Sequence, residues 1–255
     1  MDPCRSMRLI SPILDGGPAC ETNVGAIILA NDLVSERELR EFLPVSGVNL
    51  YATRVPCDIE GGIEALQSMG PHLSSATRLL APAERLDAVV FSCTSGSAAI
   101  GAPTIEKAIH DARPGCAVVT PLTASVEALR FLGVSRVAVL TPYDLSVHAM
   151  MLKFYENEGF AVVDNATFGS GREDIVRRIS PQSILKEAAA LDHADAQAIF
   201  ISCTTFRCAE MIVDLERLCG KPVVTSNQAS AWAALKAAGS TLFRPNRGRL
   251  LEKVS

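Results

Sequence analysis

Two apolar runs in this chain end in a cysteine followed by hydroxyls. They are "DAVVFSCTSGSAAIG" at 87–101 and "QAIFISCTTFRCAEM" at 197–211. As a thiolate, cysteine is a nucleophile and a proton carrier. Thr94, Ser95 and Thr204 stand beside the two thiols. Hydroxyls and backbone N–H groups at a helix start can hold a carboxylate, and a helix start also lowers a thiol's pKa. Cys93 and Cys203, on opposite walls of one cleft, would serve as base and acid on the two faces of one carbon. The plainer reading is that "SCT" merely ends a buried strand, since cysteine is often a small buried hydrophobe. One such end would favour that reading; two at matched positions favour chemistry.

The match extends beyond the cysteines. "VVTP" at 118–121 echoes "VVTS" at 223–226, and "SVEALRFLG" ending at Gly133 echoes "SAWAALKAAG" ending at Gly239. The pattern is a duplicated unit with one cysteine per copy. Strand candidates are 24–30, 48–55, 86–93, 116–121, 136–142, 160–168, 198–203 and 222–226. Most are continuously apolar, as in strands covered on both faces. Helical patterns fall at 35–43, 125–133, 147–159, 183–191 and 230–239. Gly133, Gly159 and Gly239 sit where C-caps belong, and Ser180-Pro181 fits a helix start.

The alternation predicts an α/β fold of two Rossmann-like parallel-sheet halves related by a pseudo-two-fold axis. Ligands bind outside the carboxyl ends of such strands, here in the cleft between the halves. Residues 1–122 with 228–255 form the first half and 123–227 the second. A helix is expected directly after each cysteine, with Cys208 on the second of them, facing packing. Trp232 is expected to anchor a helix in the core.

Composition narrows the function. The chain has 255 residues, 48% hydrophobic and 5% aromatic, with a net charge of −4. Scattered basic residues and few aromatics argue against nucleic-acid binding. No apolar run approaches the ~20 residues of a membrane span, and "MDPCRSMRLISP" lacks a signal-peptide core. The expectation is a cytoplasmic protein without a membrane or nucleic-acid partner; a homo-oligomer is allowed. The cysteines are Cys4, Cys20, Cys57, Cys93, Cys116, Cys203, Cys208 and Cys219. None forms a C-x-x-C pair, so neither a metal site nor a disulfide framework is expected. His72, His110, His148 and His193 are dispersed and read as surface or satisfied polar residues. "DGGP" at 15–18 and "EGG" at 60–62 read as turns.

The stretches "FSCTSGSAAIG", "LGVSRVAVLTPYD", "RRISPQSI", "AIFISCTTFR", "GKPVVTSNQASAWAALKAAG" and "RPNRGRLLE" resemble the aspartate/glutamate racemase superfamily. The branch is that of the maleate cis-trans isomerases and arylmalonate decarboxylases. "RISPQSI", "FISCTTFR" and "KPVVTSNQASAWA" look most like the isomerase-like proteins of ectoine utilisation. The resemblance runs from Val24 to about Leu251. It implies a cofactor-independent isomerase acting on a small carboxylic acid, with an amino-acid racemase or epimerase as the alternative. A decarboxylase or a non-catalytic carboxylate binder ranks behind these.

By the same resemblance, Cys93 is the nucleophile or base and Cys203 returns a proton. Thr94, Ser95 and Tyr143 bind a substrate carboxylate, and Thr204 lies in the second anion cradle. Arylmalonate decarboxylases carry glycine where this chain has Cys93, so two cysteines favour isomerisation or racemisation. At two positions where the isomerases use asparagine, this chain places Asp32, beside Asn31, and Glu173. Carboxylates there would repel a diacid and suit an ammonium group. Asp32 can equally be the cap of the helix beginning near Ser35.

Overall fold

Short runs of Val, Ile, Ala and Phe build two parallel sheets in the computed structural model, which describes residues 7–14, 21–58 and 62–252. Cys4, Cys20, the "DGGP" turn and the first two residues of "EGG" lie outside the described residues. The first sheet contains β1 (Thr22–Leu29), β2 (Val48–Val55), β3 (Ala88–Ser92) and β4 (Ala117–Val119) in the order β2-β1-β3-β4. The second contains β5 (Arg136–Thr141), β6 (Ala161–Thr167), β7 (Ala198–Ile201) and β8 (Val223–Thr225) in the order β6-β5-β7-β8. The two orders are the same, so β3 and β7, the strands leading to Cys93 and Cys203, hold equivalent places. Every pairing is parallel. All residues of β3 and β7 are buried. Each fully buried Val, Ile or Phe contributes roughly 1.5–3 kcal/mol by leaving water.

The helices between strands of the first sheet are α1 (Ser35–Phe42), α2 (Ile63–Gln67), α3 (Leu73–Arg78), α4 (Thr94–Ile100) and α5 (Ala102–His110). α6 (Pro121–Phe131) joins the sheets. The second set is α7 (Leu145–Asn157), α8 (Glu173–Val176), α9 (Pro181–Ala190) and α10 (Ile212–Cys219). α11 (Ser226–Ala237) follows β8. It returns to the first sheet, packing on α6, α1 and β3. Trp232 anchors it, 2% exposed, with its ring 5.2 Å from that of Phe131. Gly133, Gly159 and Gly239 follow their helices at φ of 72°, 88° and 66°, the left-handed turn that glycine enters without strain.

Several helices differ from the sequence expectation. α6 starts at Pro121, four residues early, because Thr120 caps it by accepting from Thr123 N. α11 likewise starts at Ser226, where Thr225 and Gln228 form a capping box. No helix follows Cys203 directly. Residues 204–211 form turns, and α10 starts only at Ile212. Cys208 is therefore in a loop, though buried. The cause is Glu38, whose carboxylate accepts the amides of Cys208 and Ala209 at 3.0 Å each and holds those turns against α1. His148 is a satisfied buried residue between Thr141 Oγ1 and Asn165 Oδ1.

Candidate active site

Cys93 is the N-cap of α4, in extended backbone, and its Sγ accepts from Gly96 N at 3.3 Å. Ser97 Oγ donates to the Cys93 carbonyl at 2.6 Å, fixing the turn. Cys203 follows β7, and its Sγ accepts from Thr205 N at 3.3 Å. Each thiol thus has a backbone N–H two or three residues on, although only one is at a helix start.

The two cysteine loops are tied to one another. Thr94 Oγ1 donates to Ser226 Oγ at 2.8 Å, and Cys203 N donates to the same Ser226 Oγ at 3.1 Å. Thr204 Oγ1 donates to the carbonyl of Ser92 at 3.2 Å. The Thr204 carbonyl accepts from Asn227 Nδ2 at 2.7 Å and from Ser35 Oγ at 3.2 Å. All these groups are buried. Such a network is rigid because each unmade bond would leave a buried polar group unsatisfied.

Cys93 and Cys203 line one pocket, at 5% and 7% exposure. The cavity is small, ≈ 30 Å³. Thr94, Ser95, Tyr143, Glu173 and Thr204 also line it. Asn31 and Asp32 do not. Asn31 Nδ2 donates to the carbonyl of Cys57 at 2.9 Å. Asp32 Oδ1 accepts from the amides of Val34 and Ser35 at 2.7 and 2.9 Å, and Oδ2 accepts from Ser35 Oγ. Asp32 therefore organises the entry to α1. Glu173 Oε1 and Oε2 accept from Thr205 Oγ1 at 3.1 and 2.9 Å.

Burial dominates the electrostatics. It pushes both catalytic-candidate thiols well above the ordinary range, more than the amides of Gly96 and Thr205 offset, and the Glu173 charge adds to the rise. The expectation that a helix start would favour the Cys93 thiolate is thus outweighed in the empty pocket. Burial, then the nearby Asp32 charge, raises Glu173 to about 7. Tyr143 is raised by burial and stays a neutral donor.

Sequence reasoning passed over several residues at this site. Cys57 lines the pocket just beyond β2, and burial pushes its thiol up to about 11. Its signal was a cysteine beyond a strand's carboxyl end, the same as at Cys93. Ser226, Thr205 and Asp144 are others. Glu38 was detectable as an acid on the buried face of α1, in line with Ser35, Leu39 and Phe42.

Similarity to known proteins follows the same lines. Residues 102–251 match the arylmalonate decarboxylase family. A maleate isomerase of Nocardia farcinica is 31% identical over 137 residues, 52% of this chain and 53% of that protein, so this match spans about half of the relative's length. The arylmalonate decarboxylase of Bordetella bronchiseptica is 28% identical over 197 residues, 76% of this chain and 81% of that protein. Among solved structures, a cysteine-to-serine mutant of the Nocardia farcinica maleate cis-trans isomerase, carrying a covalently bound succinylcysteine intermediate, has the same fold. It aligns with a TM-score of 0.81 and 21% identity over 90% of this chain and 98% of that one.

Proposed function

The chain belongs to the arylmalonate decarboxylase family, and from that premise we propose that it is a cofactor-independent isomerase that works on a small carboxylic acid with two cysteines. The observation that carries this reading is the placement of Cys93 and Cys203, from equivalent strands, in the lining of one pocket. The similarity to maleate isomerases, one of them seen with a succinylcysteine, supports covalent chemistry at a thiol.

In this reading the carboxylate sits at the start of α4, near Ser95 and the Tyr143 hydroxyl. The first amides of a helix have no partner within it and suit an anion. On a cis-unsaturated acid, the Cys93 thiolate adds to one alkene carbon, forming a C–S bond and sending the π electrons to the neighbouring carbon. That carbon takes a proton from Cys203, and the remaining single bond rotates. Cys203 then removes the proton, the double bond re-forms and the C–S bond breaks, returning the Cys93 thiolate. Nothing is oxidised or reduced. Thr94 and Thr204 keep both loops in register through Ser226 and the Ser92 carbonyl.

A second reading is racemisation, in which each thiol serves one face of an α-carbon. The acidic pocket lining, with Asp58, Asp144 and Glu173, favours it. The common test is Cys93→Ala and Cys203→Ala, assayed with maleate and with enantiomers of short amino acids. Both variants should melt near wild type and lose at least ~10²-fold in turnover, the scale of a positioned proton transfer or nucleophile. Near-normal turnover in either variant removes that thiol from the mechanism.

A further inference from the structure

A second cavity, ≈ 160 Å³ against the ≈ 30 Å³ of the cysteine pocket, lies where α1 meets the turns that follow Cys203. Val34 and Glu38 line it from α1 and the residue before it, and Arg207 and Ala209 line it from the turns. Leu33 and Pro181, the first residue of α9, extend its apolar part. None of these residues lines the cysteine pocket. A cavity of about 150 Å³ is enough to take a molecule the size of benzene.

The charges around this cavity are engaged, with one exception. Arg37 and Glu210, both exposed, pair with each other. Glu41 pairs with Arg247 at 2.6 Å and lies 3.8 Å from Arg244. Glu38 accepts the amides of Cys208 and Ala209, and burial raises its carboxyl to about 7, so at pH 6 it is mostly neutral. Arg207 is the exception: no acid pairs with it among the described residues. Its Nη2 donates to the Ile179 carbonyl at 2.9 Å, and its Nε is buried without a hydrogen-bond partner. A guanidinium stays charged and has five N–H donors, and leaving a buried donor unmade is unfavourable. A carboxylate suits it best, because two oxygens meet two parallel N–H groups along one flat edge.

We propose that this cavity is a second, non-catalytic binding site for a small monocarboxylate with a short apolar body, and that its occupant steadies the turns after Cys203. The carboxylate pairs with Arg207, and the apolar body packs on Leu33, Val34 and Pro181. One unpaired cation calls for one negative charge. A second carboxylate on the same ligand would lie among Glu38, Glu41 and Glu210, without a partner of its own. The coupling to the turns follows from position. Arg207 is four residues beyond Cys203. Those turns are already tied to α1 by Glu38 and by Ser35 Oγ, which donates to the Thr204 carbonyl at 3.2 Å. A ligand held between α1 and Arg207 adds a third tie on the same segment. The site does not depend on which reaction the cysteines perform.

The probe is butyrate, with butyramide as its neutral counterpart and inorganic phosphate as an anion without an apolar body. The arginine Nε–H resonances of the whole protein are followed by NMR at pH 6. The Arg207 signal is assigned by its loss in Arg207→Gln, or in Arg207→Lys if the first variant does not fold. Butyrate should shift that signal saturably, and butyramide and phosphate should bind at least about tenfold more weakly, the scale of one lost ion pair or one lost apolar contact. Leu33→Asp changes an exposed residue and should weaken butyrate by about tenfold or more. Amide hydrogen exchange across residues 203–211, read by mass spectrometry, should slow about threefold or more when butyrate binds wild type. The slowing should be absent in Leu33→Asp, which leaves the cysteine pocket intact, so that butyrate held at the cysteines is told apart. The proposal is overturned if butyrate does not shift the Arg207 signal, or if butyramide or phosphate binds as well as butyrate. It is equally overturned if exchange across 203–211 is unchanged, or slows as much in Leu33→Asp as in wild type.

Discussion

Thr94 Oγ1 donates to Ser226 Oγ at 2.8 Å across 132 residues of sequence, and Ser226 Oγ also receives the Cys203 amide. One hydroxyl at the start of α11 therefore spaces the two cysteine loops. The two halves are alike in strand order, yet the residue corresponding to Ser226 after β4 is Pro121, so the tie has no counterpart. Ser226→Ala would leave the buried Cys203 N–H and the Thr94 hydroxyl without this partner. The expected cost is about 1–3 kcal/mol in stability. The larger effect should be on turnover, because misplacing a reacting group by about 1 Å can cost ~10²-fold. Thermal melting and kcat measured on the same preparation check this; a destabilised variant with full kcat would show that the tie supports the fold alone.

Glu38 makes stability depend on pH. Burial raises its carboxyl from 4.5 to about 7, against the opposing amides of Ala209 and Cys208. The folded state therefore binds more proton than the unfolded state between those values. Its stabilising contribution is fully present below about 4.5 and is lost as pH rises to about 7, by up to about 3 kcal/mol. Glu173 acts in the same window with the same sign. In Glu38→Gln, the side-chain oxygen can still accept both amides but does not titrate. Denaturant melts at pH 5 and pH 7.5 should show a smaller fall in stability for the variant than for wild type. Equal falls would show that Glu38 is not the titrating latch.

The strands were legible because both faces of each sheet are covered, which leaves uninterrupted apolar runs such as "AVVF" and "AIFI". The helix α4 is expected from its place after Cys93 and not from an apolar period, because its buried residues are Thr94, Ser95, Gly96 and Ser97, polar or small rather than apolar. There the needs of the pocket displaced the helical period. α10 does have a clear apolar face, but the sequence offers no sign that Glu38 delays its start to Ile212. The same limit separates Asp32 from Glu173. Both are acids near the carboxyl end of a strand. Which one faces the pocket depends on local partners: the amides before α1 engage the first, and the Thr205 hydroxyl holds the second at the lining.

The thiols should react slowly in the free protein. Burial raises Cys93 and Cys203 above 9.0, and Cys57 to about 11. Only the thiolate is alkylated, and its fraction at pH 7.5 is then below the roughly 10% expected for a free cysteine. Iodoacetamide labelling, mapped by peptide mass spectrometry, should proceed at all three more slowly than at free cysteine under the same conditions. Faster labelling of Cys93 would mean that its interaction with Gly96 N outweighs burial, and that the empty site already holds a thiolate.

Gly96 sits one turn beyond Cys93 on α4, and its missing side chain leaves room for the thiol. A Cβ there would lie 2.6 Å from Met69 Cε and 2.8 Å from Cys93 Sγ, both too close for real contacts. The Met69 methyl ends a flexible chain and can move aside. The thiol cannot move without loosening its bond from Gly96 N. Gly96→Ala should therefore fold, since alanine favours a helix by about 1 kcal/mol over glycine, which offsets part of the crowding. Its turnover should drop by at least about tenfold, because the sulfur shifts relative to the substrate carbon. The second variant Met69→Ala/Gly96→Ala separates the two contacts. Removing the Met69 methyl relieves that clash but leaves the one at sulfur, so the activity loss should persist. If the double variant regains wild-type turnover, the Cys93 position was never disturbed, and Gly96 is required only for packing against Met69.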